Sequence, residues 1–188
     1  MFWDHWRKGA AMRTVIYHQG LVLLLSLLIP GAALQAKENL YFHGSLVAEP
    51  CTLAPEDAEI ELDFGNVVDK YLYLNQRTAG KTFAIRLTQC DIKLGSLADI
   101  TLKGSESGAL PGLLQLAGGS LAQGVAIGLE STEGQPLPIN KVYRHQLHDG
   151  SNTFNLIGYV QAEPEALKNH TITLGSFSAA LTLMIDYP

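Results

Sequence analysis

Cysteine is scarce in this chain: 188 residues hold two, Cys51 and Cys90. Neither sits in a CxxC pair or beside a cluster of other ligand types, which argues against a zinc or dithiol redox site. Basic charge is scarce too. Thirteen Lys and Arg stand against eighteen Asp and Glu, and residues 37–188 hold ten against seventeen, a net charge of −7. Without a basic cluster, the phosphate neutralisation that drives nucleic-acid binding has no source. Long apolar runs are missing as well. The longest, Leu21–Ile29 (LVLLLSLLI), falls far short of the roughly 20 residues that span a bilayer.

Catalytic signatures are equally thin. Gly80-Lys81-Thr82 looks like the end of a phosphate-binding loop, but its partner glycine would fall at Asn75, and a strand pattern follows where a helix is required. His145 and His148-Asp149 form an HxxHD cluster with no third ligand nearby, and read as a solvated turn. No nucleophile elbow places a Ser, His and Asp together. The reading is of a protein without catalysis, cofactor or metal.

What is present starts with an export signal. Arg13 supplies a positive start, Leu21–Ile29 an apolar stretch, and Pro30-Gly31 a helix break before small residues. Residues 1–36 read as a signal peptide cleaved after Ala36, with Ala33 the alternative. The acidic and tryptophan-bearing MFWDHWRKGAA makes Met12 the expected true start. The mature chain then has no membrane anchor. In an oxidising compartment the two cysteines, 39 positions apart, are expected to form one disulfide, worth roughly 3 to 4 kcal/mol by loop-closure entropy.

Beyond Cys51 the chain is a series of short period-two runs separated by turn residues, an all-β pattern. Ile60, Leu62 and Phe64 alternate with acidic residues up to Gly65-Asn66. Phe83, Ile85 and Leu87 alternate up to Cys90. Further strands are expected at Ile100–Leu102, Val125–Leu129 and Phe154–Ala162, while Leu110–Ala122 is broken by Pro and Gly and reads as a loop with at most one helical turn. The last strand is the most regular. Phe177, Ala179, Leu181, Leu183, Ile185 and Tyr187 hold every odd position ahead of Pro188, with Ser178, Thr182 and Asp186 among the even ones.

A second alternation precedes Cys51. Glu38–Gly44 (ENLYFHG) differs at one position from a protease site common in engineered proteins, yet His43 stands where that protease requires glutamine. Leu40, Phe42, Gly44, Leu46 and Ala48 keep to every second position, which fits a native extended arm.

Phe42-His43-Gly44 ahead of Pro50-Cys51, Leu62-Asp63-Phe64-Gly65-Asn66, Phe83-x-Ile85-x-Leu87-x-x-Cys90, Gly124-Val125-Ala126-Ile127 with Gly134, and Gly175-x-Phe177-x-Ala179 running to Tyr187 occur in that order. In this order and spacing the chain resembles a pilin of the chaperone–usher, type 1 fimbrial family, from Phe42 to Pro188. The resemblance implies an immunoglobulin-like β-sandwich lacking its last strand, with a pilin domain at 48–188 and a donor-strand arm at 37–47. It also implies a groove walled by Phe177, Ala179, Leu181, Leu183, Ile185 and Tyr187, which a periplasmic chaperone fills with a lent strand, anchored at the carboxylate of Pro188. At an outer-membrane usher, the arm of a neighbouring pilin would replace it. Leu40, Phe42, Gly44 and Leu46 would be this chain's own donor residues, and Glu38, in the same register, would lie outside the neighbour's groove or limit how far the arm inserts.

The implied role is a structural subunit, of the minor or adaptor kind, exported through the periplasm to a cell-surface fimbrium that supports adhesion. The alternative is a single-domain tip adhesin that binds host glycans. One domain without a separate lectin module, together with a donor arm, favours the subunit.

Overall fold

The computed structural model describes residues 40–188; residues 1–36, expected as a signal peptide, and Lys37, Glu38 and Asn39 lie outside the described residues. The chain divides into two units, Met1–Ser45 and Leu46–Pro188. In the first, Leu40–Ser45 have no regular secondary structure, and Leu40, Tyr41 and Phe42 are exposed, Phe42 at 87%.

The second unit is a two-sheet sandwich of seven antiparallel strands: β1 (Thr52–Leu53), β2 (Lys81–Cys90), β3 (Leu97–Lys103), β4 (Val125–Ser131), β5 (Val142–Gln146), β6 (Gly150–Ala162) and β7 (Thr182–Asp186). One sheet runs β1-β2-β6-β4 and the other β5-β3-β7. Two short helices, α1 (Asp69–Asn75) and α2 (Pro164–Asn169), fill connections. Each ends on a left-handed residue, Gln76 for α1 and His170 for α2, the turn that stops a helix by taking up its last carbonyls.

Between the sheets lie two apolar clusters. The larger gathers Leu72, Ile85, Leu102, Leu114, Val125, Ile127, Leu129, Ile139 and Val160. The smaller surrounds the Cys51–Cys90 disulfide with Leu87, Ala98 and Leu147. The bond ties β1 to the far end of β2, next to the β1–β2 pairing at Thr52↔Thr88 and Leu53↔Leu87.

The expected strands are found, with four differences. The last strand, expected from Phe177 to Tyr187, joins a ladder only from Thr182 to Asp186. The Ile60–Phe64 alternation survives as burial, since Leu62 and Phe64 are half-buried and Glu61 and Asp63 exposed, but residues 59–68 join no ladder. His145, expected in a solvated turn with His148-Asp149, lies instead on strand β5 (Val142–Gln146), which pairs with β3 from Val142↔Thr101 to Gln146↔Leu97. Strand β6 begins at Gly150, four residues before the apolar run, because Asn152 caps the preceding turn through His148 N–H and C=O. Leu110–Ala122 is a loop of turns and bridges, as expected.

Candidate functional site

The site is built from one contrast inside the three-stranded sheet. Ile100 and Leu102 of β3 are buried at 4% and 2% exposure, while Ile185 and Leu183, their register partners on β7, are only half-buried. A central strand has a neighbour on both sides; β7 has β3 on one side and no strand on the other. The same half-burial holds for Phe177, Ala179, Leu181 and Tyr187, while the even residues from Ser176 to Pro188 are exposed. The period of two is therefore real, but the face it presents to the core stays partly uncovered.

Ahead of β7 the strand is steadied by the loop that precedes β4. Ser178 C=O accepts from Ala117 N–H at 2.8 Å, Ser176 C=O accepts from Leu121 N–H at 2.8 Å, and Ser178 N–H donates to Ser120 Oγ at 3.1 Å. These bonds hold one edge of 176–178. Among the described residues no backbone hydrogen bond joins 59–67 to 176–188.

The facing wall is that non-ladder segment, which the sequence reading took as an ordinary strand. The Phe64 ring lies 6.3 Å from the ring of Phe177. Leu62 reaches inward over β6, where a Cβ on Gly158 would meet its Cδ2 at 2.5 Å. The signal for this was in the sequence: a glycine inside a strand marks a close approach by another part of the chain. On the outer side the Lys81 ammonium donates to Asp63 C=O. Side chains thus meet at the floor while the backbones stay apart, which leaves a groove with apolar walls and an unpaired strand edge.

At the other end, Ile185 and Tyr187 pack on the cluster that contains the disulfide. Burial raises the Tyr187 phenol above its ordinary value, with Glu49 adding to the effect. The first strand is fastened nearby. Asp57, buried, accepts from Arg86 N–H (2.7 Å), Nε (3.0 Å) and Nη2 (2.6 Å), while Ala54 N–H donates to Arg86 C=O. This contact fastens the turn Pro55–Asp57, which follows β1, against β2.

The arm residues Leu46 to Glu49 are exposed, Leu46 fully. Of the histidine cluster, His145 points inward and stacks on Phe154 at 4.6 Å between centroids, and burial lowers its pKa. Asp149 accepts instead from Ile92 N–H. No group of three potential metal ligands occurs among the described residues.

The family model described as fimbrial protein matches residues 40–188, the whole sandwich and the arm before it. The chain belongs to the fimbrial protein family. It is similar to the uncharacterized fimbrial-like protein YfcP of Escherichia coli K12, at 31% identity over 93% of this chain and 98% of that one. It is also similar to the fimbrial adapter PapK of Escherichia coli, at 28% identity over 92% and 99%. Among solved structures, a chaperone–usher pilus studied for rod uncoiling aligns with a TM-score of 0.63, at 22% identity, over 82% of this chain and 97% of that one. The fold is that of a pilin, an immunoglobulin-like sandwich short of one strand. The chain is a structural, non-enzymatic subunit of a surface pilus, a fibre assembled from pilins. Among the described residues no helix is long and apolar enough to cross a membrane.

Proposed function

We propose that this chain is a minor or adaptor pilin of a chaperone–usher fimbria, polymerised by donor-strand exchange. The observation that carries the reading is the unpaired edge of β7, where apolar residues stay half-buried although their partners on β3 are fully buried. An extended strand laid there supplies backbone partners to the edge and side chains to the uncovered face. A periplasmic chaperone provides that strand first, gripping Phe177 to Tyr187 and the end at Pro188; at the usher the arm of the next pilin replaces it.

The chain's own arm supplies the reciprocal half. Leu40, Phe42, Gly44 and Leu46 lie on one face of an extended segment and enter a neighbour's groove, with Gly44 admitting close approach. The likeness to an adapter supports a place between other subunits and not at an adhesive tip. Cysteine pairing suits passage through the oxidising periplasm.

Peptides spanning Lys37 to Ala48, titrated against each neighbouring pilin held by its chaperone, test the donor role. The expected result is chaperone release by at least one of them, slowed when Phe42 is replaced by aspartate. An arm that displaces the chaperone from none of them overturns the donor assignment.

A further inference from the structure

The flank of the sandwich opposite the β7 groove is open as well. Strand β6 pairs with β2 from Gly150 to Gly158 but with β4 only from Leu156 to Ala162, so Gly150–Asn155 has one edge without a strand. Strand β5 faces it from the other sheet, pairs only with β3, and is also an edge. Between these edges lies a cleft of about 760 Å³. Its partly exposed apolar surface is Tyr143, Phe154 and Leu156, with the buried Ile85, Ile100 and Leu102 beneath them.

The polar side chains that could catch a small polar ligand are mostly held by the protein itself. Tyr143 Oη donates to Pro138 C=O at 2.8 Å, Arg144 forms a two-pronged pair with Asp99 at 2.7 and 2.6 Å, and Gln146 Nε2 donates to Ser96 C=O. Asn152 is committed to His148. What remains for recognition is a strand edge above an apolar floor. One charge is left over: Glu133, at the β4 end of the cleft, has no ion-pair partner among the described residues. Hydroxyls of Thr132 and Ser131 hold its carboxylate below the usual range, hence ionised.

We infer that the β5–β6 cleft is a second strand-accepting edge, which takes an extended peptide from a partner, apolar at alternate positions and basic at the end beside Glu133. A strand paired to Gly150–Asn155 places every second side chain on the apolar surface of Tyr143, Phe154 and Leu156, as strand addition requires. The free carboxylate sets the direction and the sign of the charge. The cleft reaches Ile100 and Leu102, the β3 partners of Ile185 and Leu183, but no residue of β7 itself, and the inference does not rest on donor-strand exchange.

The test is backbone amide exchange of the chain during titration with a short peptide alternating valine and threonine, ending in lysine in one version and in glutamate in the other. If the chain alone is too unstable to assign, the same titration uses the chain with a strand appended after Pro188. Slowed exchange at residues 151–155 with the lysine-ended peptide is expected. The glutamate-ended one should bind more weakly by roughly two- to fivefold, the range an exposed ion pair supplies, and Glu133→Lys should reverse that preference. No protection at 151–155, protection confined to β7, or equal binding of both peptides by both proteins overturns the proposal.

Discussion

At the scale of single residues, two carboxylate–arginine pairs fasten parts of the chain that carry no ladder. Arg77 joins Glu130 of β4 through two bonds of 2.8 and 2.7 Å and lies 3.8 Å over the ring of Tyr159, whose other neighbour is Gly128. Arg86 holds Asp57 as described above. In each pair the side-chain hydrogen bond from arginine is the main cause that lowers the carboxyl pKa. A carboxyl depressed in the folded state contributes stability above its unfolded value, near 4, and loses it as pH falls through the folded value. Thermal unfolding followed against pH should therefore show a falling acid limb below about pH 4, which flattens in Asp57→Asn and Glu130→Gln. An acid limb unchanged in the double variant would contradict this assignment. Sterically, Gly158→Val should cost about 1 to 3 kcal/mol in chemical denaturation, because the new side chain occupies the place of Leu62.

Elements behave less uniformly than residues. The disulfide closes a 39-residue separation between β1 and the end of β2, and replacing both cysteines by serine should lower stability by roughly 3 to 4 kcal/mol, read from denaturant midpoints. On β7 the two faces should respond differently. Leu183→Asp is expected to weaken any added strand strongly, while Thr182→Lys on the exposed face should leave binding within about twofold, since surface changes seldom exceed 0.5 kcal/mol. This face pattern is what the sequence made legible: strict alternation from Phe177 to Tyr187 needs no tertiary context to be read. Strand β5 was hidden because Arg144 and Gln146 are tied by their side chains to Asp99 and Ser96, partners remote in sequence. Its inward residues, Tyr143 and His145, carry polar atoms that mask an apolar role. Helix α1 was hidden for a related reason. Its DKYLYLN alternates as a strand would, and only Leu72 is buried. The segment 59–67 shows the converse: correct alternation, but no ladder, because strand pairing depends on a neighbour that the alternation itself does not specify.

Across the whole molecule, the sandwich has a closed core and open flanks. Ile85 and Leu87 of β2, Ile100 and Leu102 of β3, Val125, Ile127 and Leu129 of β4 and Val160 of β6 are buried, while the inward residues of β7 and its approach remain half-exposed. Such a domain forfeits part of the apolar burial that stabilises small folds, which stand only about 5 to 15 kcal/mol above unfolding. On the proposed function, a partner's strand supplies the missing contribution, and that dependence couples folding to fibre assembly. The most direct test is the cooperative unfolding of residues 48–188 measured alone and with an extended donor sequence joined after Pro188. The account predicts that the appended strand raises the unfolding temperature substantially and protects the β7 amides from exchange. A domain that unfolds cooperatively and reversibly at the same temperature with and without that strand would contradict it.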